Sequence, residues 1–281
     1  MSEHARLIGA EGQHSVCAND LLLGPYSGSR VLPLEGGRNF RDLGGYATTD
    51  GRCVRWGRLF RSGSMARLTQ ADIRFLSQLS IRAAFDLRSS HERQNEPHAW
   101  HVHAGIRCWS RDYDSSFGDL RKLLASPATT AEEAEAAMMA GYRQLPFQHA
   151  PAYTALFASL AAGEVPLVFN CSAGKDRAGV AAALVLIALG VPRDTVVADY
   201  VLTATALDRQ SLLGTGRKSM LANRSPAVLD AILNADARYL HAALDAIEAR
   251  CGSVSAYLQD ELGVSLQAAD RIREELLEAP A

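Results

Sequence analysis

The residues best able to do chemistry stand together in Phe169-Asn170-Cys171-Ser172-Ala173-Gly174-Lys175-Asp176-Arg177-Ala178-Gly179. Cys171 is a nucleophile. Arg177, six residues on, carries a planar fork that can hold two oxygens of one phosphate, which a lysine cannot match. Between them Ser172, Ala173, Gly174 and Lys175 supply backbone N–H groups ahead of a helix N-terminus, and that combination is an anion site. The same positive end favours a thiolate. A free cysteine titrates near ~8.5, and basic neighbours at a helix start bring it to about 3.5–7.5. Nucleophile, donor ring and bidentate cation around one phosphate describe covalent phosphoryl transfer through phosphocysteine. The loop is not a Walker A loop, because Gly-x4-Gly-Lys-Ser/Thr is absent.

Expulsion of the leaving oxygen needs an acid. Asp176, inside the loop, is the first candidate. Asp86 ends a predicted strand and is expected at the same sheet edge as Cys171, among the substrate-binding groups. Asp112 follows another short strand, and the sequence does not rank it against Asp86. Lys175 reads as positive charge at the mouth, suited to phosphotyrosine and to phosphoinositide headgroups. Arg41, Asp42, Arg61, Arg88 and Glu92 read as an ion-pair lattice bracing the loop from below. The eight histidines show no metal-ligand spacing, so no metal or other cofactor is expected.

These residues need a strand before them and a helix after. Val165 to Phe169 is a short buried strand, and Ala178 to Leu189 is apolar on all sides, as in a helix enclosed by the fold. Gly190 and Pro192 stop it. Upstream, Thr69 caps a helix with Asp72 at the capping-box position; Ile81 to Leu87 and Ile106 to Trp109 read as strands. Residues 112–146 have few large apolar groups, a break at Pro127 and an Ala/Glu-rich helix from Ala131 to Tyr142. They read as a helical lid-like surface insertion, or equally as a solvated hairpin. Helices follow over Tyr153 to Ala162, Asp194 to Thr203, Pro226 to Arg250 with an interruption, Ser253 to Leu262 and Ser265 to Leu277. Strands alternating with helices predict an α/β fold, a mostly parallel central sheet flanked by helices with a helix-rich C-terminal half. Residues 1–34 read as an extension and 35–281 as one catalytic domain.

Composition narrows the classes. The 281 residues are 48% hydrophobic and 21% charged, with 29 basic against 31 acidic side chains. A net charge of −2 gives no global field for nucleic acid or anionic lipid. The apolar run Ala178 to Val191 is too short to span a bilayer, and the first residues lack the pattern of a secretion signal. The expectation is a cytoplasmic protein. Cys17, Cys53, Cys108, Cys171 and Cys251 are odd in number and scattered, which argues against a disulfide framework. Cys53, Cys108 and Cys251 read as packing residues.

The loop resembles that of the bacterial tyrosine-protein phosphatase family whose signature is His-Cys-x-x-Gly-Lys-Asp-Arg-Thr-Gly. Asn39-Phe40-Arg41-Asp42-Leu43-Gly44-Gly45, Gly57-Arg58-Leu59-Phe60-Arg61-Ser62 and Asp86-Leu87-Arg88-Ser89 resemble its N-terminal blocks. Tyr142-Arg143-Gln144, Val197-Ala198-Asp199-Tyr200 and Tyr257-Leu258 resemble later ones. The resemblance covers residue 36 onward and implies a phosphatase α/β sheet with a helical lid, a role for Asp176, and phosphorylated protein or phosphoinositide substrates. Two positions depart. Asn170 replaces His, and its amide is expected to donate to the loop backbone. Ala178 replaces Thr, whose hydroxyl in the family helps the sulfur leave, so slow turnover of phosphocysteine is expected. Two other readings stand beside the phosphatase. One is a phosphate-binding module with little catalysis, motivated by Asn170 and Ala178. The other is sulfur transfer, which does not require an arginine six residues after the cysteine.

Overall fold

A computed structural model describes residues 30–98, 100–103, 105–113, 122–207, 221 and 224–279. Its centre is a five-stranded sheet in the order β1 (Arg41–Asp42), β3 (Leu59–Ser62), β6 (Leu167–Asn170), β4 (Ala83–Asp86), β5 (Arg107–Ser110). Only β1 is antiparallel to its neighbour. Alternate residues of the inner strands enter two separate apolar clusters. Leu59, Ala83, Phe85, Leu167 and Phe169 join one, while Phe60, Ala84 and Val168 join the other. The period of two thus buries both faces, as a parallel sheet demands. A second, two-stranded sheet pairs β2 (Cys53–Val54) with β7 (Leu277–Glu278) and ties the C-terminal end to the N-terminal third.

The helices that matter for the site are α1 (Gln70–Ser77), α2 (Ser90–Asn95), α3 (Ala131–Gln148), α4 (Ala150–Ala161), α5 (Arg177–Ala188), α6 (Arg193–Val201), α7 (Pro226–Leu233), α8 (Ala237–Cys251) and α9 (Leu266–Leu276). Helix α1 begins at the expected capping box, with Thr69 and Asp72 each accepting the other's backbone N–H. Helix α5 is enclosed: its residues from Arg177 through Leu186 are all buried. The interruption between α7 and α8 falls at Asn234 to Asp236.

Three expectations need correction. The 112–146 stretch is not a single surface insertion. Helix α3 is a core element, with Ala134, Met138, Tyr142 and Leu145 buried and packed chiefly against α8 and α7. Its alanines give it the look of a solvated helix, yet small side chains are what allow neighbouring helices to approach. Residues 114–121, within that stretch, lie outside the described residues. The folded unit also starts earlier than residue 35: Val31 bridges to Arg41 and Leu32 is buried. The rest of the expected extension, residues 1–29, lies outside the described residues. Finally, Cys53 is disulfide-bonded, whereas Cys108, Cys171 and Cys251 are free thiols. No helix among the described residues is long and apolar enough to cross a membrane.

Candidate active site

Sheet register builds the site floor. Asn170, the last residue of β6, is level with Ser62 on one side and Asp86 on the other. Cys171 therefore emerges between two strand ends. It is fully buried, and its N–H donates to Ser62 O at 3.3 Å. The chain then turns through Gly174 at φ +69°, where a Cβ would stand 2.7 Å from the backbone of Ser62 and Gly63. Only glycine meets both demands.

The loop's carbonyls are taken up by donors from outside it. Ser172 O accepts from Arg38 Nη1 and from the Ser64 N–H, both at 3.0 Å. Ala173 O accepts from Asn39 Nδ2 at 3.1 Å, and Gly174 O from Arg61 Nη2 at 2.7 Å. By contrast, the N–H groups of Ser172, Ala173, Gly174 and Asp176 donate to no protein acceptor among the described residues. Buried amides are almost always paired. A run of unpaired ones between a strand and a helix start is a cradle for an anion.

Arg177 opens α5 and closes the loop. Its guanidinium makes a two-pronged pair with Glu92, Nη1 to Oε2 at 2.6 Å and Nη2 to Oε1 at 2.8 Å. Nη1 also donates to Leu87 O at 3.0 Å and to the Tyr113 hydroxyl at 2.6 Å. Burial opposes the charge on Arg177, but Glu92 outweighs it and holds the guanidinium's pKa well above its usual value. Glu92 was expected beneath the loop and lies instead at its mouth, where Oε1 also accepts from Ser172 Oγ at 2.6 Å. The reason is local. Glu92 is the third residue of α2, and its Oε2 accepts the Ser89 N–H in a capping box, which aims the carboxylate at the loop.

Asp176 keeps one-sixth of its side chain exposed, at 16%. Its Oδ1 accepts from the Tyr142 hydroxyl at 2.7 Å, and Tyr142 lies 2.6 Å from the Tyr200 hydroxyl. A phenol has one proton, so with Tyr142 donating to Asp176, Tyr200 donates to Tyr142. Asp176 makes no side-chain cap on α5. Lys175 is not at the mouth. It is 2% exposed, and Nζ donates to Ile232 O at 2.6 Å and Asn234 O at 3.2 Å, capping the C-terminal end of α7.

Asp86 reaches the expected sheet edge but faces away from a substrate role. Arg88 grips both its oxygens, His98 lies 3.3 Å off, and Asn170 Nδ2 donates to it at 3.2 Å. Burial works to raise its pKa, yet His98 and Arg88 hold it well below the usual carboxylate range. Asn170 thus serves Asp86 rather than the loop backbone. Asp112 is 88% exposed and pairs with Arg93. Beneath the loop the lattice is smaller than expected and has a centre the sequence reading missed, Asp199. Arg61 Nη1 reaches its Oδ2 at 2.7 Å and Arg41 Nε its Oδ1 at 3.2 Å. Asp42 instead accepts the N–H groups of Gly44 and Gly57, each at 2.7 Å.

A buried cysteine at the end of a parallel strand, unpaired amides beside it and an arginine at the helix start form a pocket that can hold an oxyanion next to a sulfur. Comparison with known proteins gives the chain its family. The model described as "Tyrosine phosphatase family" matches residues 32–278, and the chain belongs to this family. A Cupriavidus necator protein assigned as a tyrosine-protein phosphatase is 35% identical over 272 residues, 92% of this chain and 93% of that one. The triple specificity protein phosphatase PtpB of Mycobacterium tuberculosis is 32% identical over 285 residues, covering 88% of this chain and 99% of its own. A tyrosine-protein phosphatase of Nostoc commune is 32% identical over 157 residues, 53% of this chain and 49% of that one. The chain is a phosphoric monoester hydrolase of the tyrosine phosphatase type.

Proposed function

We propose that Cys171 is the nucleophile of a metal-independent protein tyrosine phosphatase that works through phosphocysteine. The Cys171 thiolate attacks phosphorus, forming a P–S bond as the P–O ester bond breaks. Asp176 gives its proton to the leaving oxygen. Water then attacks phosphorus, the Asp176 carboxylate accepts its proton, and the P–S bond breaks to return the thiolate and release phosphate. The amides of residues 172–176 and the Arg177 guanidinium carry the charge on the equatorial oxygens in both steps. Glu92, already bidentate on Arg177, fixes the guanidinium's plane.

The observation that carries this reading is the set of unpaired amides around a buried cysteine, with the carbonyls of the same residues anchored outward. Asp176 is favoured as acid because it alone of the three candidates is in the loop, with its carboxylate steered by Tyr142 rather than held by an arginine. The relationship to a triple specificity phosphatase supports activity on phosphoserine and phosphothreonine besides phosphotyrosine. Phosphoinositides are a further substrate class to test, without the help of Lys175, whose buried ammonium is taken up by α7 and Asp176.

The test is vanadate-sensitive hydrolysis of p-nitrophenyl phosphate. Cys171→Ser is expected to lower kcat by at least about 10³-fold, and rapid quenching of the parent enzyme should reveal an adduct of ~80 daltons on Cys171. Asp176→Asn should remove the limb of the pH–rate profile that needs a protonated acid. Retained turnover in Cys171→Ser would sink the reading.

A further inference from the structure

Arg41 and Arg61 are Cα partners in the antiparallel pair β1–β3, so their side chains leave the same face. Both are fully buried, and both turn to one carboxylate, Asp199, which is itself 1% exposed and also accepts from the Tyr46 hydroxyl at 2.9 Å. Two cations thus share one anion out of reach of water. Arg61 is the member that touches the catalytic loop: Nη2 donates to Gly174 O at 2.7 Å, with a longer contact to Lys175 O at 3.4 Å. The same nitrogen lies 3.2 Å from where a Cβ on Gly179 would stand, between the loop and the first turn of α5.

Among the described residues, several other charged groups near the loop come in pairs. Asp86 after β4 is matched by Arg88, Glu92 on α2 by Arg177, and Glu96 by Arg38, while the Lys175 ammonium lies against the α7 carbonyls and 3.3 Å from Asp176 Oδ1. His149, before α4, is held neutral by burial and by the charges of Arg177 and Arg111. Tyr142 on α3, Tyr153 on α4 and Tyr200 on α6 are kept as phenols, chiefly by burial. Tyr113 gives its proton to Leu87 O. Asp42, next along β1, is engaged by the Gly44 and Gly57 amides, and Arg30 lies over the Tyr46 ring as a further cation on the same side as Asp199.

We infer that the Arg41–Arg61–Asp199 cluster holds one positive charge in excess, and that the Cys171 thiolate is the counter-charge it lacks. Arg61 is then a positioning residue for the nucleophile's charge, acting from behind the loop in addition to the amides in front. Burial and the neighbouring Arg41 draw Arg61 itself down to about 10, the behaviour of an under-compensated cation, and the charge on Cys171 works to restore it. This inference rests on Cys171 acting as a thiolate, as proposed above.

The test is the pH dependence of iodoacetamide alkylation of the full chain, read by mass spectrometry on the Cys171 peptide so that Cys108 and Cys251 do not contribute. Circular dichroism checks the fold of each variant. The inflection of the parent protein sets the reference. Arg61→Met should move it up by about 1 pH unit or more. Arg61→Lys, which keeps the charge and loses the fork, should leave it nearly in place. Asp199→Asn, which removes the shared anion, should move it down. A merely structural role predicts that Met and Lys act alike and that Asp199→Asn shifts the inflection in the same direction. Either result, or no shift in folded Arg61→Met, overturns the inference. Should Arg61→Met fail to fold, the sign of the Asp199→Asn shift decides it. Absence of an inflection in the parent protein removes the thiolate reading itself, and this inference with it. An inflection that is present in the parent protein and unmoved by Arg61→Met removes the inference alone.

Discussion

At the scale of single residues, the departure with the clearest consequence is Ala178. It is fully buried in the first turn of α5, directly after Arg177, and carries no hydroxyl to assist the departing sulfur. Formation of phosphocysteine should therefore outrun its hydrolysis. Pre-steady-state assays with p-nitrophenyl phosphate should show a burst of about one equivalent of nitrophenol, and Ala178→Thr should shrink the burst while raising the steady rate several-fold. Absence of a burst in the parent enzyme would count against this. Which residues make the loop was legible in the sequence, because Cys171 through Arg177 are contiguous and need only a strand before and a helix after. Their partners were legible only in part: Glu92 and Arg61 read as braces of the loop, while the contacts they make, and the parts of Asp199, Arg38 and Asn39, were not readable. Glu92, Asp199, Arg38 and Asn39 act across 80 or more positions of chain, and no local spacing encodes such contacts. The cost of that blindness shows in Lys175, whose type suggested a surface cation and whose ammonium is buried against α7.

At the scale of elements, α3 does two jobs that its composition conceals. It packs against α8, where the Tyr142 and Tyr239 rings lie 5.5 Å apart, and it delivers the Tyr142 hydroxyl to Asp176. Its start is set by a capping box in which Thr130 Oγ1 accepts the Glu133 N–H and Glu133 Oε2 the Thr130 N–H. Thr130→Ala should lower unfolding stability by about 1 kcal/mol with kcat unchanged, since the cap is at the far end of the helix from Tyr142. Equilibrium urea unfolding beside steady-state kinetics checks both halves. The α1 box was readable because Thr69 and Asp72 precede an apolar face at helical spacing. The same box at Thr130 precedes alanines and glutamates, a pattern that fits solvent as well as a core, and so the element was visible while its burial was not.

At the scale of the whole molecule, acid sensitivity follows from buried groups that keep one protonation state. His149 is 1% exposed, and burial, then Arg177 and Arg111, push its pKa down to about 3, against ~6.5 in an unfolded chain. Between those values the unfolded chain binds a proton that the folded one refuses, so stability is full above pH ~6.5 and falls as the pH drops. The loss by pH 5 should be about 2 kcal/mol. His149→Gln should flatten that slope, whatever it does to stability at neutral pH; an unchanged slope would contradict the assignment. Below pH ~4 a further loss should set in as Asp86 and Asp199, both held low against their burial by arginine and histidine partners, are forced to take protons. The α/β class and the parallel core of the sheet were readable from alternating strands and helices. The one antiparallel edge and the closing pair β2–β7 were not, because strands of two residues carry no periodicity.

The outward-facing carbonyls of the loop carry one more consequence. Donors rooted in β3 and in the segment before β1 grip them from behind, so the mould is cast before anything is poured into it. An arriving oxyanion freezes almost no main chain, and its affinity is governed by what it gives up in hydration against the fit of its tetrahedral oxygens. Selectivity among esters then has to come from the walls around the bowl rather than from the bowl itself.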